Sequence, residues 1–396
     1  MEAGELEQIA ATVARYLPPS LVPVLTSGFT RSHFLFDEFV HRLTIQVCAE
    51  TGLAEAASEW SSVEEIVARS GLDPGHATVA VGSMLRHLAA RGVLAREDGA
   101  GEPRFRAEHG LPALDPAPVL AEQQRHDPAC LPSYVLAQTA AGDYPAFLRG
   151  QRSGEEILLA PTRLALWVAY FSNDNVLYAV NNRVGAAALE TWMPRGAGTI
   201  LELGGGLASG TTAVLERLAA VERLPEVRAY RFTELVPAFL RRGQRILQAR
   251  FPHVPGFTFE PLDMNRPFAE QGVAPESVSI VYAVNTLHVA HDLAFTLGEV
   301  RRVLGPGGQL VISECVRPFS GQTLYPEFVF NLMETFRAPR LHPCYRPNGG
   351  FLMTEQWTNA LEAAGFLGVR VLPDVGRIRE VLPTFYVAAI GATRGT

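Results

Sequence analysis

The chain has 396 residues, 47% of them apolar and 19% charged, which fits a folded protein with a large core and two domains rather than one. The formal net charge is −7 and all 34 basic residues are arginine, a balance that argues against a nucleic-acid surface. The opening MEAGELEQIA is acidic, no apolar run approaches the ~18 residues of a membrane span, and the four cysteines (Cys48, Cys130, Cys315, Cys344) lack metal-ligand spacing. A cytoplasmic protein with free thiols, no membrane contact, no nucleic-acid partner and no metal site is expected.

Residues 1 to about 35 carry helical spacing interrupted by Pro18, Pro19 and Pro23, and read as an entry arm. From Leu43 to Phe105 the pattern is three helices and a hairpin: an apolar helix through Cys48 and Leu53, a second starting at Ser62, and a third after Asp73-Pro74. Ser62 with Glu65 makes a capping box, and Asp73-Pro74 is a cap followed by proline at the first helical position. VLARED and RFRA flank the turn GAGEP as two short strands, which makes the module a winged helix. Its third helix offers only Arg86 and Arg91 as cations, too few for phosphates, so a dimerisation or substrate-shaping role is preferred to DNA binding. Residues 107–190 read as further helices, the last from Asn175 to Trp192. That helix sets Tyr178, Asn181, Asn182 and Arg183 into an apolar pattern, and the stretch AYFSNDNVLYAVNN is a candidate lid.

The chain then changes to alternating strands and helices. The strand Thr199–Leu203 runs into Gly204, Gly205 and Gly206, then Gly210, and a helix over 211–220. Glycine permits positive φ and close approach of a ligand, while a helix start offers unpaired N–H groups, so this turn suits a nucleotide or nucleoside. The same pattern serves several ligands, or tight packing alone. A second strand, 228–233, ends in Glu234, placed to accept hydrogen bonds from two ribose hydroxyls; a third, 257–262, ends in Asp263, which suits an adenine amino group. With Glu202, Leu235, Met264 and Asn285, these residues make up the expected cofactor-binding set. A fourth strand, 278–284, runs out at Asn285 and is followed by His288. A helix over 293–304, the turn GPGG and a fifth strand, 309–313, lead to Glu314. Catalytic groups collect beyond the carboxyl ends of such strands, so His288 and Glu314 converge if strands four and five are neighbours. The remainder is helix and irregular loop over 319–350, a helix over 354–365, and two closing strands around 369–372 and 385–390. Tyr178, Asn181, His342, Cys344 and Tyr345 are candidates for an acceptor pocket.

LELGGG, FTEL, PLDMN, NTLH and LGPGGQLVISE resemble, in order and spacing, the motif series of class I S-adenosylmethionine-dependent methyltransferases. FLRGQRSGEEILLAP, RFTELVPAFL, LDMNRPFAEQGVAPES and MTEQWTNALEAAGF resemble segments of the C-methyltransferase domains of polyketide synthases, whose His and Glu dyad falls on His288 and Glu314. Winged-helix O-methyltransferases of natural products carry a His in the same place and are usually dimers, but their second acidic residue would fall near Leu352. The third glycine of the usual turn falls on Ala208, or is displaced to Gly210. The resemblance implies a doubly wound Rossmann-like methyltransferase sheet at 191–396 and a mainly helical, winged-helix-containing domain at 1–190. It further implies S-adenosylmethionine as cofactor, a homodimer, and a small natural-product acceptor of polyketide or peptide type, free or carrier-protein-bound. Carbon is the preferred site of methylation with His288 as general base oriented by Glu314, and a hydroxyl is the alternative. A winged-helix regulator with a ligand-sensing domain and a nicotinamide oxidoreductase are the readings from other classes; the charge opposes the first, and no hydride-acceptor site supports the second.

Overall fold

A computed structural model describes residues 3–99, 101–196 and 198–395. The chain divides into two compact units, one formed by 28–170 and 319–338, the other by 1–27, 171–318 and 339–396. This division differs from a sequential one at residue 190: the arm is split, with residues 3–27 in the sheet-containing unit and the rest in the helical one, and a later segment returns to the helical unit. Among the described residues, no helix is long and apolar enough to cross a membrane.

In the helical unit, Ser27–Glu50 is one long helix that stops where Gly52 turns to φ +71°. Cys48 and Leu53, expected on one helix, therefore fall on two, since the second begins at Leu53. The helix Val63–Arg69 starts from the expected capping box of Ser62 and Glu65, and Pro74–Ala90 starts with the Asp73 side chain accepting the His76 N–H. Strands β1 (Ala95–Glu97) and β2 (Arg104–Arg106) pair antiparallel, with Ala100 of their turn outside the described residues. Four arginines of this module pair with nearby carboxylates: Arg96 with Asp98, Arg104 with Glu65, Arg106 with Glu108, and Arg91 with Asp37 and Glu38. The Tyr134 ring packs at a tilt against Phe36 and Phe39 in the core. The returning segment docks through the Tyr144 hydroxyl on the Phe328 carbonyl, 2.5 Å, and through Gly154, where a Cβ would lie 1.7 Å from the Leu332 carbonyl oxygen.

The other unit is built on a seven-stranded sheet. Its strands are β3 (Thr199–Leu203), β4 (Ala229–Thr233), β5 (Phe257–Glu260), β6 (Val278–Val284), β7 (Leu304–Cys315), β8 (Phe366–Leu372) and β9 (Val387–Arg394). The order is β5-β4-β3-β6-β7-β9-β8, with β3 to β7 paired parallel and β9 antiparallel to both its neighbours. Strands such as VSIVYAV are continuous apolar runs because helices cover both faces of a parallel sheet. The helix Val176–Trp192 packs on β7, β9 and the helix Ser209–Ala220, which is why it belongs to this unit. Gly185 permits that contact, since a Cβ there would sit 2.5 Å from the Tyr282 hydroxyl. Two boundaries differ from the sequence reading. Strand β5 ends at Glu260, so Asp263 lies three residues past it, where the Gln271 amide holds both its N–H and its carbonyl. Strand β7 begins at Leu304 and takes in the GPGG stretch through a register irregularity between Val278 and Ile280.

Candidate active site

The turn after β3 is built by packing as much as by conformation. Gly204 lies at φ +61° and Gly206 at φ +57°. A Cβ on Gly204 would meet Thr286 Cγ2 at 2.5 Å, and one on Gly205 would meet the Phe232 ring at 2.2 Å. The corresponding direction at Gly206 faces open space, so this backbone is accessible to a ligand at close range. Ala208 takes the left-handed conformation, φ +67°, where the usual turn has glycine. The strain is on the order of 1 kcal/mol, tolerated because Ala208 is buried and carries the smallest side chain.

Two carboxylates surround this turn. Glu234 follows β4, and its oxygens accept the N–H groups of Gly206 at 2.9 Å and Val236 at 2.7 Å. Burial pushes its carboxyl up, against the pull of those N–H groups. Leu235 beside it is 57% exposed, an apolar surface at the edge of the turn. Glu202 lies beneath: its Oε2 accepts the hydroxyls of Thr211, 2.5 Å, and Tyr230, 2.8 Å. Burial lifts this carboxyl to about 7 despite those bonds. Glu202 therefore braces the turn from inside the fold. Asn285 is likewise used internally, its Oδ1 accepting the Cys315 N–H at 3.0 Å across β6 and β7. Asp263 turns its carboxylate onto the Asn265 N–H, 2.9 Å, and the Met264 carbonyl accepts the Thr296 hydroxyl, 3.0 Å.

Strands β6 and β7 are neighbours, and the groups beyond their carboxyl ends meet. His288 Nδ1 donates to Glu314 Oε2 at 2.7 Å, and both residues are buried. The other oxygen, Oε1, accepts the N–H groups of Thr286 at 3.2 Å and Leu287 at 3.0 Å. A carboxylate bound in this way fixes the imidazole as the Nδ1–H tautomer and makes Nε2 the basic nitrogen. The Phe351 ring packs on the imidazole, centroids 4.6 Å apart. Arg346, fully buried, donates Nη1 to the Ala290 carbonyl at 2.6 Å and Nη2 to the His288 carbonyl.

The pocket candidates make different local contacts. Asn181 reaches the end of β7, where its Nδ2 contacts Cys315 Sγ at 3.4 Å and its Oδ1 is buried without a partner. Tyr178 packs edge-on against Phe171. His342 and Tyr345 stack on each other at 3.8 Å, with Tyr345 buried, half-exposed His342, and Cys344 exposed between them. Arg346 and Phe351 escaped the sequence reading because RLHPCYRPNGGF has no periodicity to assign a buried side.

Comparison with known proteins agrees with this architecture. Residues 206–312 match the family described as a methyltransferase domain. The chain is 31% identical over 255 residues to the highly reducing polyketide synthase valA of Aspergillus terreus, 61% of this chain and 9% of that synthase. It is 24% identical over 242 residues to the polyketide synthase PksM of Bacillus subtilis, 59% of this chain and 5% of that protein. The chain thus spans less than a tenth of these curated relatives. Among solved structures, the CurJ carbon methyltransferase superposes with a TM-score of 0.77 at 20% identity, covering 100% of this chain and 99% of that one. The DszA carbon methyltransferase gives 0.72 at 23% identity, covering 98% and 96%. The fold is that of the CurJ and DszA carbon methyltransferases, and residues 206–312, which run from the open glycine turn through Glu234 and Leu235, match a methyltransferase domain, so the chain resembles S-adenosylmethionine-dependent methyltransferases.

Proposed function

We propose that the chain methylates an activated carbon of a polyketide-type small molecule, with His288 as general base and Glu314 as the group that orients it. The observation that carries this reading is the buried 2.7 Å contact between His288 Nδ1 and Glu314 Oε2 at the edge where parallel strands present their catalytic groups. When bound, S-adenosylmethionine supplies a sulfonium methyl group that is already activated, leaving the protein to position the acceptor and remove one proton. Gly204, Gly205 and Gly206 would hold it through their backbone, Glu234 would accept hydrogen bonds from its ribose hydroxyls, and Leu235, Asp263 and Met264 would serve its adenine end. Nε2 of His288 takes the acceptor proton. Glu314 keeps the imidazole in register and stabilises the imidazolium that forms, an arrangement typically worth about 10²–10⁴-fold in rate.

The acceptor pocket draws on Tyr178, Asn181, His342 and Tyr345. The helix-and-hairpin module of the helical unit is read as a winged helix serving dimerisation or substrate shaping, since Arg91, Arg104 and Arg106 are paired with local carboxylates. Because the chain resembles polyketide synthases, the acceptor we assign is a β-ketoacyl thioester, free or carrier-borne.

The test is incubation with 13C-methyl-labelled cofactor and a β-ketoacyl thioester of a small thiol, read by 13C NMR. A C-methyl resonance, reduced at least about 100-fold in His288→Gln, is expected. An O-methyl resonance moves the reading to a hydroxyl acceptor, and undiminished turnover in His288→Gln removes the base assignment.

A further inference from the structure

We propose that Arg346 is a positioning residue for His288: its guanidinium clamps the backbone of the short turn that carries the imidazole. The inference rests on the reading of His288 as the base. His288 sits in a three-residue 3-10 turn, Leu287–Val289, entered through Asn285 at φ +47° and Thr286 at φ −129°, ψ −48°. A turn this short leaves its carbonyls to be satisfied from outside. Arg346 takes that of His288 and that of Ala290, the residue that closes the turn, on its two Nη groups. The imidazole is thereby fixed from three directions: Glu314 at Nδ1, Phe351 on the ring, and Arg346 behind the main chain.

The chemistry favours a guanidinium for this task. Two carbonyls two residues apart match its planar fork, whereas an ammonium is a single point donor. A cation with no exposed surface is costly, and its Nε has no partner, so packing alone does not account for an arginine here. The charges that face it are Glu314 from β7 and Asp292 after the turn, the latter paired with Arg340, with Tyr345 beside them. Arg346 is itself anchored. Its backbone and that of His342 exchange two hydrogen bonds at 2.8 and 2.9 Å, and the same loop is tied by the Arg340 N–H to the His291 carbonyl, 2.7 Å.

The test uses the full chain labelled with 15N-histidine and loaded with S-adenosylhomocysteine. Imidazole spectra are compared for the unsubstituted chain, Arg346→Met and Arg346→Lys, and the His288 signals are identified by their loss in His288→Gln. The expected result is a single Nδ1–H tautomer in the unsubstituted chain, its loss or broadening in Arg346→Met, and only partial recovery in Arg346→Lys, whose ammonium replaces one point of the fork. Calorimetric binding of S-adenosylhomocysteine should change by less than about threefold across the series, because the glycine turn makes none of these contacts. Three results overturn the proposal: the unsubstituted tautomer pattern persisting in Arg346→Met, no Nδ1–H tautomer in the unsubstituted chain, or a parallel loss of cofactor binding and imidazole signals that lysine does not restore. Retained methyl transfer in His288→Gln would instead defeat the base assignment, leaving the clamp measured by the spectra on its own terms.

Discussion

Replacing Glu202 by Gln should stabilise this protein in alkaline solution and do little for it in acid. The carboxyl is 2% exposed and lifted from 4.5 to about 7 by burial, so the folded chain holds a proton that the unfolded chain has released. Stability from this group is complete below pH 4.5, is lost progressively as the pH rises to 7, and is flat above. At about 1.4 kcal/mol per unit, the native chain carries a cost of about 3 kcal/mol at pH 8 and about 1 kcal/mol at pH 5. Gln removes that dependence. Its amide oxygen keeps the acceptor position for the Thr211 and Tyr230 hydroxyls, and the weaker neutral bonds return about 1 kcal/mol. The net gain is about 2 kcal/mol at pH 8 and near zero at pH 5, read from urea midpoints at the two values. An equal change at both pH values would refute the electrostatic argument, and so would a loss at pH 8.

Three other perturbations probe separate parts of the chain. Gly206→Ala should weaken S-adenosylmethionine binding at least about tenfold by calorimetry. It should also cost about 1 kcal/mol of stability, because a Cβ there enters the open side of the turn at φ +57°. His33, buried and held near 4, favours the neutral ring when folded, so stability is full above pH 6.5 and is lost as the pH falls toward 4. His33→Phe should spare about 2 kcal/mol of the loss that urea unfolding records between pH 7 and pH 5. Gly154→Ala should destabilise by about 3 kcal/mol or more, because its methyl group meets the Leu332 carbonyl oxygen, and a thermal scan with two probes checks it.

The strands of the parallel sheet were legible because their period and their punctuation agree: apolar runs end in Gly204, Glu234, Asn285 and Glu314, and both faces are buried. The capping box at Ser62 and the cap at Asp73 were equally local, each satisfying N–H groups within three residues. The pairing of His288 with Glu314 was reachable because it follows from one topological condition, the adjacency of β6 and β7.

Other features have no local signature. Glu202 and Asn285 read as cofactor residues from their places in the motif series, yet their side chains are used beneath and between the strands by Thr211, Tyr230 and Cys315. The motif sets the backbone position, whereas the direction a strand-end side chain takes depends on partners 9 to 30 residues away in sequence. Arg346 lies 58 residues from His288, and residues 3–27 belong to the unit whose sheet begins at Thr199. Sequence by itself determined the period of the elements, the turn chemistry and which residues stand at the strand ends, because these depend on neighbours a few residues apart. Only the tertiary structure decided which carboxylates support the turn, what holds His288 in place and which segments share a core, because burial and hydrogen-bond pairing are settled between chain segments brought together by folding.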